Sequence, residues 1–311
     1  MKIGIVGAGA MGSLFGGRLS QSGQEVLLYD INREHVVAIQ KEGLAIEDLA
    51  SGRREVCHPA ATTQAEDLGN VQFLVIFVKS AATEEVARQF FGISGGQTIA
   101  VTMQNGLGNE GILKKYFGRE RTAAGVTSQG ATFLAAGRIR HAGRGPTHLC
   151  MSDRNNEKLE AFVDALNRAG LETDLEANID DLIWSKLIIN VGINALTALT
   201  GLPNGRLLEF PDCKALMAEL VAEAVTVAEK KGIGLTYADP LQMVCQVAEK
   251  TGSNRSSMLQ DFDRRKPSEI DFINGAIVRE AEELGLEVPV NRAVTRLVRT
   301  LDAVHLENSA G

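Results

Sequence analysis

The segment "KIGIVGAGAMGSLFGGRLSQSG" (residues 2–23) decides the fold that we predict for the first half of the chain. It begins with a short apolar strand, continues with the glycine-rich "GAGAMG" and ends in a helical pattern that stops at Gly23. The next strand, "EVLLYD", closes on an acidic residue, Asp30. A lone GxGxxG is a weak signal, but the strand before it, the helix after it and the later acid are typical of dinucleotide binding.

Each glycine of this motif has a separate physical task. Gly7 permits a tight turn, Gly9 lets backbone amides approach a pyrophosphate, and Gly12 allows the helix to pack closely on the strand. The helix N-terminus adds unpaired N–H groups and the positive end of its dipole. A glycine-rich turn without a ligand is the less favoured alternative. The predicted phosphate-binding residues are Gly7, Ala8, Gly9, Ala10, Met11 and Gly12.

Two further apolar runs extend the predicted sheet. "VQFLVIFV" (71–78) and "QTIAVTMQ" (97–104) are apolar on both faces, which indicates strands of a parallel sheet covered by helices. They lead into Lys79 and Asn105, at the strand ends where open α/β sheets bind ligands. For Lys79 the alternative is a solvated strand end. For Asn105 it is a turn residue that precedes Gly106.

The pattern changes after this sheet. Short β-like pieces broken by glycines predict antiparallel additions over residues 121–151. "NEKLEAFVDALNRAG" (156–170) predicts a helix that closes the domain, with Gly170 as its C-cap. Strand signals vanish after about residue 178, and the boundary is expected within residues 171–179. We assign residues 1–174 to a dinucleotide-binding domain and residues 175–311 to a helical substrate and catalytic domain.

The composition narrows the class of protein. A length of 311 residues suits two domains, and the mixed charges with a net charge of −7 argue against nucleic-acid and membrane partners. Four separated cysteines predict reduced thiols in a cytoplasmic protein, and the histidines show no metal-ligand spacing, so no metal is expected. The chain starts directly with a strand, which argues against a signal peptide. No apolar run approaches the roughly 20 residues of a membrane span.

The segment "WSKLIINVGINALTALTGLPNG" (184–205) has the composition of a buried helix, yet Lys186, Asn190 and Asn194 recur at every fourth residue. At 3.6 residues per turn these side chains share one face. A buried polar row needs partners, because unpaired polar groups are costly to bury. From this pattern alone, a structural hydrogen-bond network between helices and a lysine that extends to water both stay open.

The later segment "GSNRSSMLQDFDRRKPSEIDFINGAIVREAEELG" (252–285) adds further polar candidates. Asn254, Ser256 and Ser257 lie on a predicted loop or helix start, where Ser and Asn are natural N-caps. Glu269 follows Ser268 at the start of another helix. Taken alone, this glutamate is better explained by helix capping than by chemistry.

Together these segments resemble ketopantoate reductases (2-dehydropantoate 2-reductases) over nearly the full length of the chain. The matching pieces are "GAGAMG", "VKS" at Lys79, "QNG" at Asn105, the helix quoted above and "SSMLQDFDRRKPSEIDFINGAIVREAEELGLEVPVN", in the family order. The resemblance implies an α/β fold: an N-terminal Rossmann-type, mainly parallel sheet domain and an all-helical C-terminal domain, 6-phosphogluconate-dehydrogenase-like, with the active site in the cleft between them. It also implies NAD(P)H-dependent reduction of ketopantoate to pantoate in pantothenate and coenzyme A biosynthesis.

The resemblance also assigns roles to residues. Lys186 corresponds to the catalytic lysine, the general acid for the developing alkoxide, and Glu269 to the active-site glutamate. Burial and the nicotinamide would lower the pKa of Lys186 and Glu269 would raise it, with the net shift open. The implied substrate-binding residues are Asn190, Asn194, Asn204, Asn254 and Ser257. Asn105 corresponds to an asparagine of the cofactor and substrate cleft, and Lys79 to the cofactor-reading lysine.

The choice between NADPH and NADH depends on the end of the second strand. NADPH is the family default, but an acid such as Asp30 bonds the ribose 2′-OH and repels a 2′-phosphate, which favours NADH. Arg33 reaches a phosphate only if Asp30 turns aside. The sequence therefore favours NADH slightly, with Asp30, Arg33 and Lys79 as the cofactor-reading residues.

Two other functions are compatible with the same motifs. A paralogous reductase would act on another 2-keto acid, because a pocket rejects a substrate that differs by one methyl group only weakly. A non-catalytic dinucleotide-sensing regulator is disfavoured, because both the lysine and the glutamate are present. The expected partner is a small 2-keto acid, and the long apolar helices are compatible with a homodimer.

Overall fold

The chain folds into two units. The computed structural model describes residues 1–151 and 157–310. Contacts group Met1–Gln104 with Asn109–Ile179 in the first unit, and Asn105–Gly108 with the chain from Asp180 onward in the second. The division after residue 179 lies five residues beyond the predicted boundary at 174, because a short strand at Thr173–Leu175 still pairs within the first unit.

The described residues of the first unit form two sheets. The strands in the described residues are β1 (Lys2–Val6), β2 (Glu25–Tyr29), β3 (Leu44–Asp48), β4 (Arg54–Cys57), β5 (Ala60–Thr62), β6 (Phe73–Ile76), β7 (Ile99–Thr102), β8 (Thr122–Thr127), β9 (Gly130–Ala135), β10 (Arg138–Gly143), β11 (Thr147–Met151) and β12 (Thr173–Leu175). The larger sheet has the order β12-β11-β8-β7-β6-β1-β2-β5 and is parallel except for the β8–β11 pair. The smaller sheet has the order β4-β3-β10-β9. The α/β class and the mainly parallel sheet are therefore confirmed.

Helices flank these strands. In the described part of the first unit they are α1 (Ala10–Gln21), α2 (Arg33–Glu42), α3 (Thr83–Ile93), α4 (Asn109–Phe117) and α5 (Glu157–Arg168). Every residue of β6 and β7 is buried, as expected for strands covered on both faces. The helix predicted over 156–170 corresponds to α5, although its first residue lies outside the described residues. Gly170 follows α5 with a φ of +72°, as expected for a C-cap glycine.

Some strands differ from the sequence prediction. The strands β6 and β7 are shorter than the apolar runs 71–78 and 97–104, since each run extends past the paired residues. The predicted antiparallel additions are present as the pairs β8–β11 and β9–β10, but β8 also continues the parallel sheet beside β7. The strands β3 to β5 were not predicted. Three of the four β4 residues are exposed, so this strand has no apolar run to reveal it.

The second unit is helical, as predicted. Its helices in the described residues are α6 (Asp180–Thr200), α7 (Pro211–Lys230), α8 (Pro240–Lys250), α9 (Ser257–Asp263), α10 (Asn274–Leu284) and α11 (Pro289–Ala310). Short 3-10 turns lie at Asn204–Glu209 and Ile270–Phe272. More than half of the α6 residues are buried, and α6 contacts α7, α8, α9 and α11. The helix with the polar row is thus the central helix of this unit.

The expectation that no apolar run approaches the length of a membrane span is wrong for α6. By length and composition it is the one helix in the described part of the chain that is apolar enough to cross a membrane, with a mean hydropathy of 1.5. However, 67% of that stretch is buried inside the structure. Burial of this kind is typical of a core helix packed against other helices.

The second and third glycines of the motif, Gly9 and Gly12, give a stability prediction. A Cβ at Gly12 would lie 2.1 Å from the Gly7 carbonyl oxygen, whereas a Cβ at Gly9 would meet no described atom within 4 Å. Gly12→Ala is expected to lower the free energy of unfolding by about 1–3 kcal/mol, because backbone must move. Gly9→Ala is the matched control and should lower it by less, at most about 1 kcal/mol, because alanine is a poorer N-cap than glycine. Urea denaturation followed by circular dichroism measures both, and equal stabilities would contradict the predicted close packing.

Candidate functional site

The glycine-rich loop after β1 is held by the end of β2. The N–H groups of Gly7 and Ala8 both donate to the Tyr29 carbonyl, at 2.9 and 3.2 Å. Gly7 has a φ of +91°, in the left-handed region that favours glycine. Gly9 is exposed and is the N-cap of α1, with no side chain to accept a hydrogen bond. The loop backbone is therefore fixed while its outer face stays accessible.

This loop fits a phosphate group. The first N–H groups of a helix have no intrahelical acceptor, and the helix dipole favours an anion at that end. The first turn of α1 contains no acidic residue that would repel a phosphate. The space that a Cβ at Gly9 would fill is open, and Ala10 and Met11 beside it are partly exposed. The loop therefore has the shape and polarity that a pyrophosphate requires.

Asp30 directly follows β2, and one of its oxygens is already engaged. Its Oδ1 accepts a hydrogen bond from the Asn32 N–H at 2.8 Å. Asn32 in turn caps α2 by accepting from the His35 N–H at 3.2 Å. The carboxylate is thus held in an Asx turn, which leaves its Oδ2 for a ligand. Arg33, the first residue of α2, is exposed.

His35 and Ser13, two buried residues that the sequence did not single out, support the glycine-rich loop through hydrogen bonds. The Gly137 N–H donates to His35 Nδ1 at 2.9 Å, so the ring proton lies on Nε2. His35 Nε2 donates to Ser13 Oγ at 3.1 Å, and Ser13 donates to the Ala8 carbonyl at 2.7 Å. Burial lowers the pKa of His35, although the Asp30 charge opposes this shift. The neutral ring therefore links the glycine loop to α2.

Lys79 is exposed and lies three residues after β6, next in the chain to Val78, which takes part in a second network of partly buried and buried groups. Gln104 Nε2 donates to the Val78 carbonyl at 2.7 Å and to Thr83 Oγ1 at 2.8 Å. The Thr83 hydroxyl then donates to Asn109 Oδ1 at 2.8 Å. This network ties together the ends of β6 and β7 and the starts of α3 and α4. The sequence did not reveal it, because its members are 21 and 26 residues apart.

Asn105 belongs to a segment that groups with the second unit. The Leu107 N–H donates to the Phe272 carbonyl at 2.9 Å. Gly106 has a φ of +85°, and a Cβ there would lie 2.3 Å from the Phe272 oxygen. Only glycine fits this contact, so the turn predicted at Asn105 and Gly106 is present. The Asn105 side chain is partly buried.

The charged pair of the second unit is Lys186 on α6 and Glu269. Glu269 is buried, with 6% of its surface exposed, and Lys186 is partly buried. Burial lowers the pKa of Lys186 to about 8, and the Glu269 charge opposes this shift. The effect of burial on this pKa is therefore larger than that of the Glu269 charge. Among the described residues, the Glu269 side chain does not cap the 3-10 turn that follows it, so the capping explanation fails.

The rest of the polar row meets the start of α9. Asn194 is buried and its Nδ2 donates to Ser257 Oγ over a long 3.5 Å. One turn further on, the hydroxyls of Thr197 and Ser256 lie 2.6 Å apart. Ser256 also caps α9. Asn190, one turn before Asn194 on the same face, is partly buried. A structural network between helices therefore accounts for the end of the row, at Asn194.

Asn204 and Asn254 meet through their backbones. The Asn204 N–H donates to the Asn254 carbonyl at 2.9 Å, and Asn204 Nδ2 donates to Thr251 Oγ1 at 2.8 Å. Asn204 Oδ1 is buried without a hydrogen-bond partner among the described residues. Asn254 is exposed. The amide of Asn204 thus supports the loop and has one acceptor still to be satisfied.

The candidate residues fall into two sets, each within one unit. The first unit contains Gly7, Ala8, Gly9, Ala10, Met11, Gly12, Asp30, Arg33 and Lys79, and the second contains Asn105, Lys186, Asn190, Asn194, Asn204, Asn254, Ser257 and Glu269. Within the second set, hydrogen bonds or charge bring together three pairs: Lys186 with Glu269, Asn194 with Ser257, and Asn204 with Asn254.

Both halves of the chain match known proteins. The family described as "Ketopantoate reductase PanE/ApbA" matches residues 3–153, and "Ketopantoate reductase PanE/ApbA C terminal" matches residues 178–302. A 2-dehydropantoate 2-reductase of Pyrococcus abyssi is 36% identical over 306 residues, which are 98% of this chain and 99% of that protein.

Two solved structures also resemble this chain closely. A PanE/ApbA family ketopantoate reductase from Ralstonia eutropha has a TM-score of 0.90, 31% identity and coverage of 98% of this chain and 100% of its own. A D-mandelate dehydrogenase with NADH and anilino(oxo)acetate has a TM-score of 0.89, 29% identity and coverage of 98% and 99%.

The pairing of Lys186 with Glu269 gives a titration prediction. Because the Glu269 charge raises the pKa of Lys186, Glu269→Gln should move that pKa from about 8 to a lower value. The wild-type ammonium then persists up to about pH 8, whereas the variant loses its proton at lower pH. NMR titration of lysine labelled with ¹³C at Cε measures this, with the signal assigned by its absence in Lys186→Met. Glu287→Gln, which removes an exposed charge of the same unit, should leave the titration unchanged. A pKa that stays at about 8 in Glu269→Gln would disprove the coupling.

Proposed function

This chain belongs to the ketopantoate reductase family, and we propose that it reduces 2-dehydropantoate (ketopantoate) to pantoate, in pantothenate and coenzyme A biosynthesis. It is accordingly an oxidoreductase that acts on a CH–OH group. The observation that carries the proposal is a partly buried lysine with a pKa of about 8 on the central helix of the second unit, within electrostatic range of the buried Glu269.

The hydride donor in this proposal is a nicotinamide dinucleotide, which would supply a hydride, one proton with two electrons, to the keto carbon. The open space at Gly9 and the α1 N-terminus support its pyrophosphate in the first unit. The proposed cofactor-binding residues are Gly7, Ala8, Gly9, Ala10, Met11, Gly12, Asp30, Arg33, Lys79 and Asn105. The buried hydrogen bonds of Ser13 and His35 keep this loop in one conformation.

Lys186 acts as the general acid. Reduction of a ketone turns its oxygen into an alkoxide, which needs a positive charge and a proton at hydrogen-bond distance. A lysine with a pKa of about 8 is mostly protonated at neutral pH, yet it gives up its proton far more easily than a solvated lysine at 10.5. Its Nζ therefore both stabilises the developing charge and completes the alcohol.

Polar side chains near Lys186 would hold the substrate. Asn190 and Asn194 offer amides that donate and accept without adding charge to the α6 face. The Ser257 hydroxyl and the amides at the start of α9 suit the substrate carboxylate. Glu269 would accept the terminal hydroxyl of ketopantoate. The proposed substrate-binding residues are Asn190, Asn194, Asn204, Asn254 and Ser257.

NADH is the cofactor that we propose over NADPH. The Asx turn keeps the Asp30 carboxylate at the end of β2, where a negative charge repels a 2′-phosphate and Oδ2 accepts from a ribose hydroxyl. The similar D-mandelate dehydrogenase was solved with NADH. Arg33 and Lys79 are exposed and are the residues that would read a 2′-phosphate instead. The cytoplasmic location and the homodimer stay predictions.

The similarity to a D-mandelate dehydrogenase makes substrate choice part of the test. Initial rates with ketopantoate and with phenylglyoxylate, the 2-keto acid that corresponds to mandelate, compare a branched hydroxylated substrate with an aromatic one. The proposal expects a higher kcat/KM for ketopantoate. A higher kcat/KM for phenylglyoxylate would favour the paralogous reductase instead.

Removal of the lysine tests the proposed acid. Lys186→Ala should lower kcat by about 10²–10⁴-fold, the usual contribution of general acid catalysis, with cofactor affinity within about twofold. Lys186→Arg keeps a positive charge but holds its proton too tightly to transfer it, so it should stay slow. Stopped-flow rates and fluorescence titration of the bound cofactor measure the two quantities. Equal losses of kcat and cofactor affinity would exclude Lys186 as the acid.

Asp30 gives a matched pair of variants for cofactor choice. Asp30→Asn keeps the oxygen that accepts from the Asn32 N–H and removes the charge, whereas Asp30→Ala removes both. If the charge discriminates, wild type prefers NADH and both variants shift by about tenfold or more towards NADPH in kcat/KM. A wild type that prefers NADPH would contradict this interpretation and point to Lys79 or Arg33.

A further inference from the structure

The turn that carries Glu269 is closed by its neighbours. Ser268 Oγ accepts a hydrogen bond from the Ile270 N–H at 3.3 Å, across Glu269. The Phe272 N–H donates to the Glu269 carbonyl at 3.0 Å, which begins the 3-10 turn. Glu269 thus has a backbone that is fixed on both sides. Its side chain takes no part in these bonds.

Asp302 on α11 accepts hydrogen bonds from this turn at Ser268, the residue before Glu269. The Ser268 N–H donates to Asp302 Oδ1 at 3.1 Å, and the Ser268 hydroxyl donates to Asp302 Oδ2 at 2.7 Å. Both oxygens of one carboxylate therefore hold one residue. Ser268 and Asp302 are both partly buried, so water competes less for these bonds than at an exposed site.

Among the described residues, α11 also contacts this region through Arg299 and Asn291, at residues that are not adjacent to Glu269 in the chain. Arg299 binds Asp271 at 2.6 Å, but both side chains are about half exposed, and such surface pairs contribute little. Asn274 donates to Asn291 Oδ1 at 3.0 Å and fixes the start of α10. Asp302 is thus the contact of α11 that acts on the Glu269 backbone most directly.

We propose that Asp302 is a positioning residue for the reduction: by holding Ser268 it keeps the Glu269 carboxylate where it acts on Lys186. Coulomb energy falls with distance, so a carboxylate that drifts away supports the ammonium less. The predicted effect of Asp302 on Lys186 is argued from contacts within the second unit alone. The predicted effect of Asp302 on turnover rests on the proposed function.

Four variants separate the hydrogen bonds of Asp302 from its charge. Asp302→Ala removes both bonds to Ser268. Asp302→Asn removes the charge but keeps one oxygen for the Ser268 N–H and one N–H for the Ser268 hydroxyl. Ser268→Ala keeps the backbone bond alone, and it is the second route to a result if Asp302→Ala folds poorly. Glu282→Ala is the control, because it removes a hydrogen-bonded ion pair with Arg292 elsewhere on α11.

The first readout is the pKa of Lys186 in the full chain, from NMR titration of ¹³Cε-labelled lysine, which needs no turnover. Asp302→Ala should lower it by at least about 0.5 unit, in the direction of Glu269→Gln, and Ser268→Ala should lower it by less. Asp302→Asn and Glu282→Ala should stay within about 0.2 unit of wild type. The other charges of the region, on Asp271, Arg279 and Arg299, are the same in all these variants.

The second readout is kcat for ketopantoate as a function of pH, with thermal midpoints recorded for every variant. The fall of kcat at alkaline pH should move to lower pH in Asp302→Ala, with a loss of about twofold or more at pH 8, and Asp302→Asn should restore it. The positioning role is overturned if Asp302→Ala lowers the midpoint and leaves the Lys186 pKa unchanged, or if Asp302→Asn shifts that pKa as far as Asp302→Ala. If wild type does not reduce ketopantoate while the Lys186 pKa follows the variants as expected, the proposed function fails and the positioning of Glu269 stands.

Discussion

A lysine ammonium inside an apolar helical unit is the constraint on which the second unit depends. Moving the pKa of Lys186 from 10.5 to about 8 corresponds to roughly 3 kcal/mol of preference for the neutral amine. This figure already includes the opposing effect of the Glu269 charge, and a carboxylate buried to 6% exposure is itself expensive without its partner. The two charges are therefore tolerable only as a pair. The helices and the turn that carry them must hold the pair together.

The first unit has a different requirement, which is to keep its ligand-binding loops open. It too depends on polar groups that are paired with partners inside the protein. Its loops have to present backbone amides and polar side chains to a ligand without collapsing onto them. Buried hydrogen bonds supply the rigidity: His35 and Ser13 hold the glycine loop, and Gln104 and Thr83 hold the ends of β6 and β7. In each case a buried polar group finds a partner, which makes the network stabilising. The exposed residues that face the ligand are thus held in place by hydrogen bonds of the residues beneath the surface.

Local patterns explain which parts of this structure are predictable from sequence. The glycine motif and the runs that are apolar on both faces indicate the parallel sheet. The spacing of four residues places Lys186, Asn190 and Asn194 on one helix face. The strand β4 has too little apolar character to be recognised. The supporting bonds are harder still, because Ser268 and Asp302 are 34 residues apart and His35 and Gly137 are 102 apart. Hydrogen bonds between distant side chains leave no periodic trace in a sequence.

Glu269 shows why residue type and local position can mislead. An acid at the start of a helical turn favours capping, yet here Ser268 provides the oxygen that the Ile270 N–H needs. The same arrangement occurs at α9, where Ser256 caps the helix and the next residue, Ser257, receives the Asn194 amide. In both places one residue satisfies the backbone and leaves its neighbour's side chain available. A serine directly before a candidate polar residue is therefore part of what makes that residue available for chemistry, although it contacts no reacting atom in the proposed reaction.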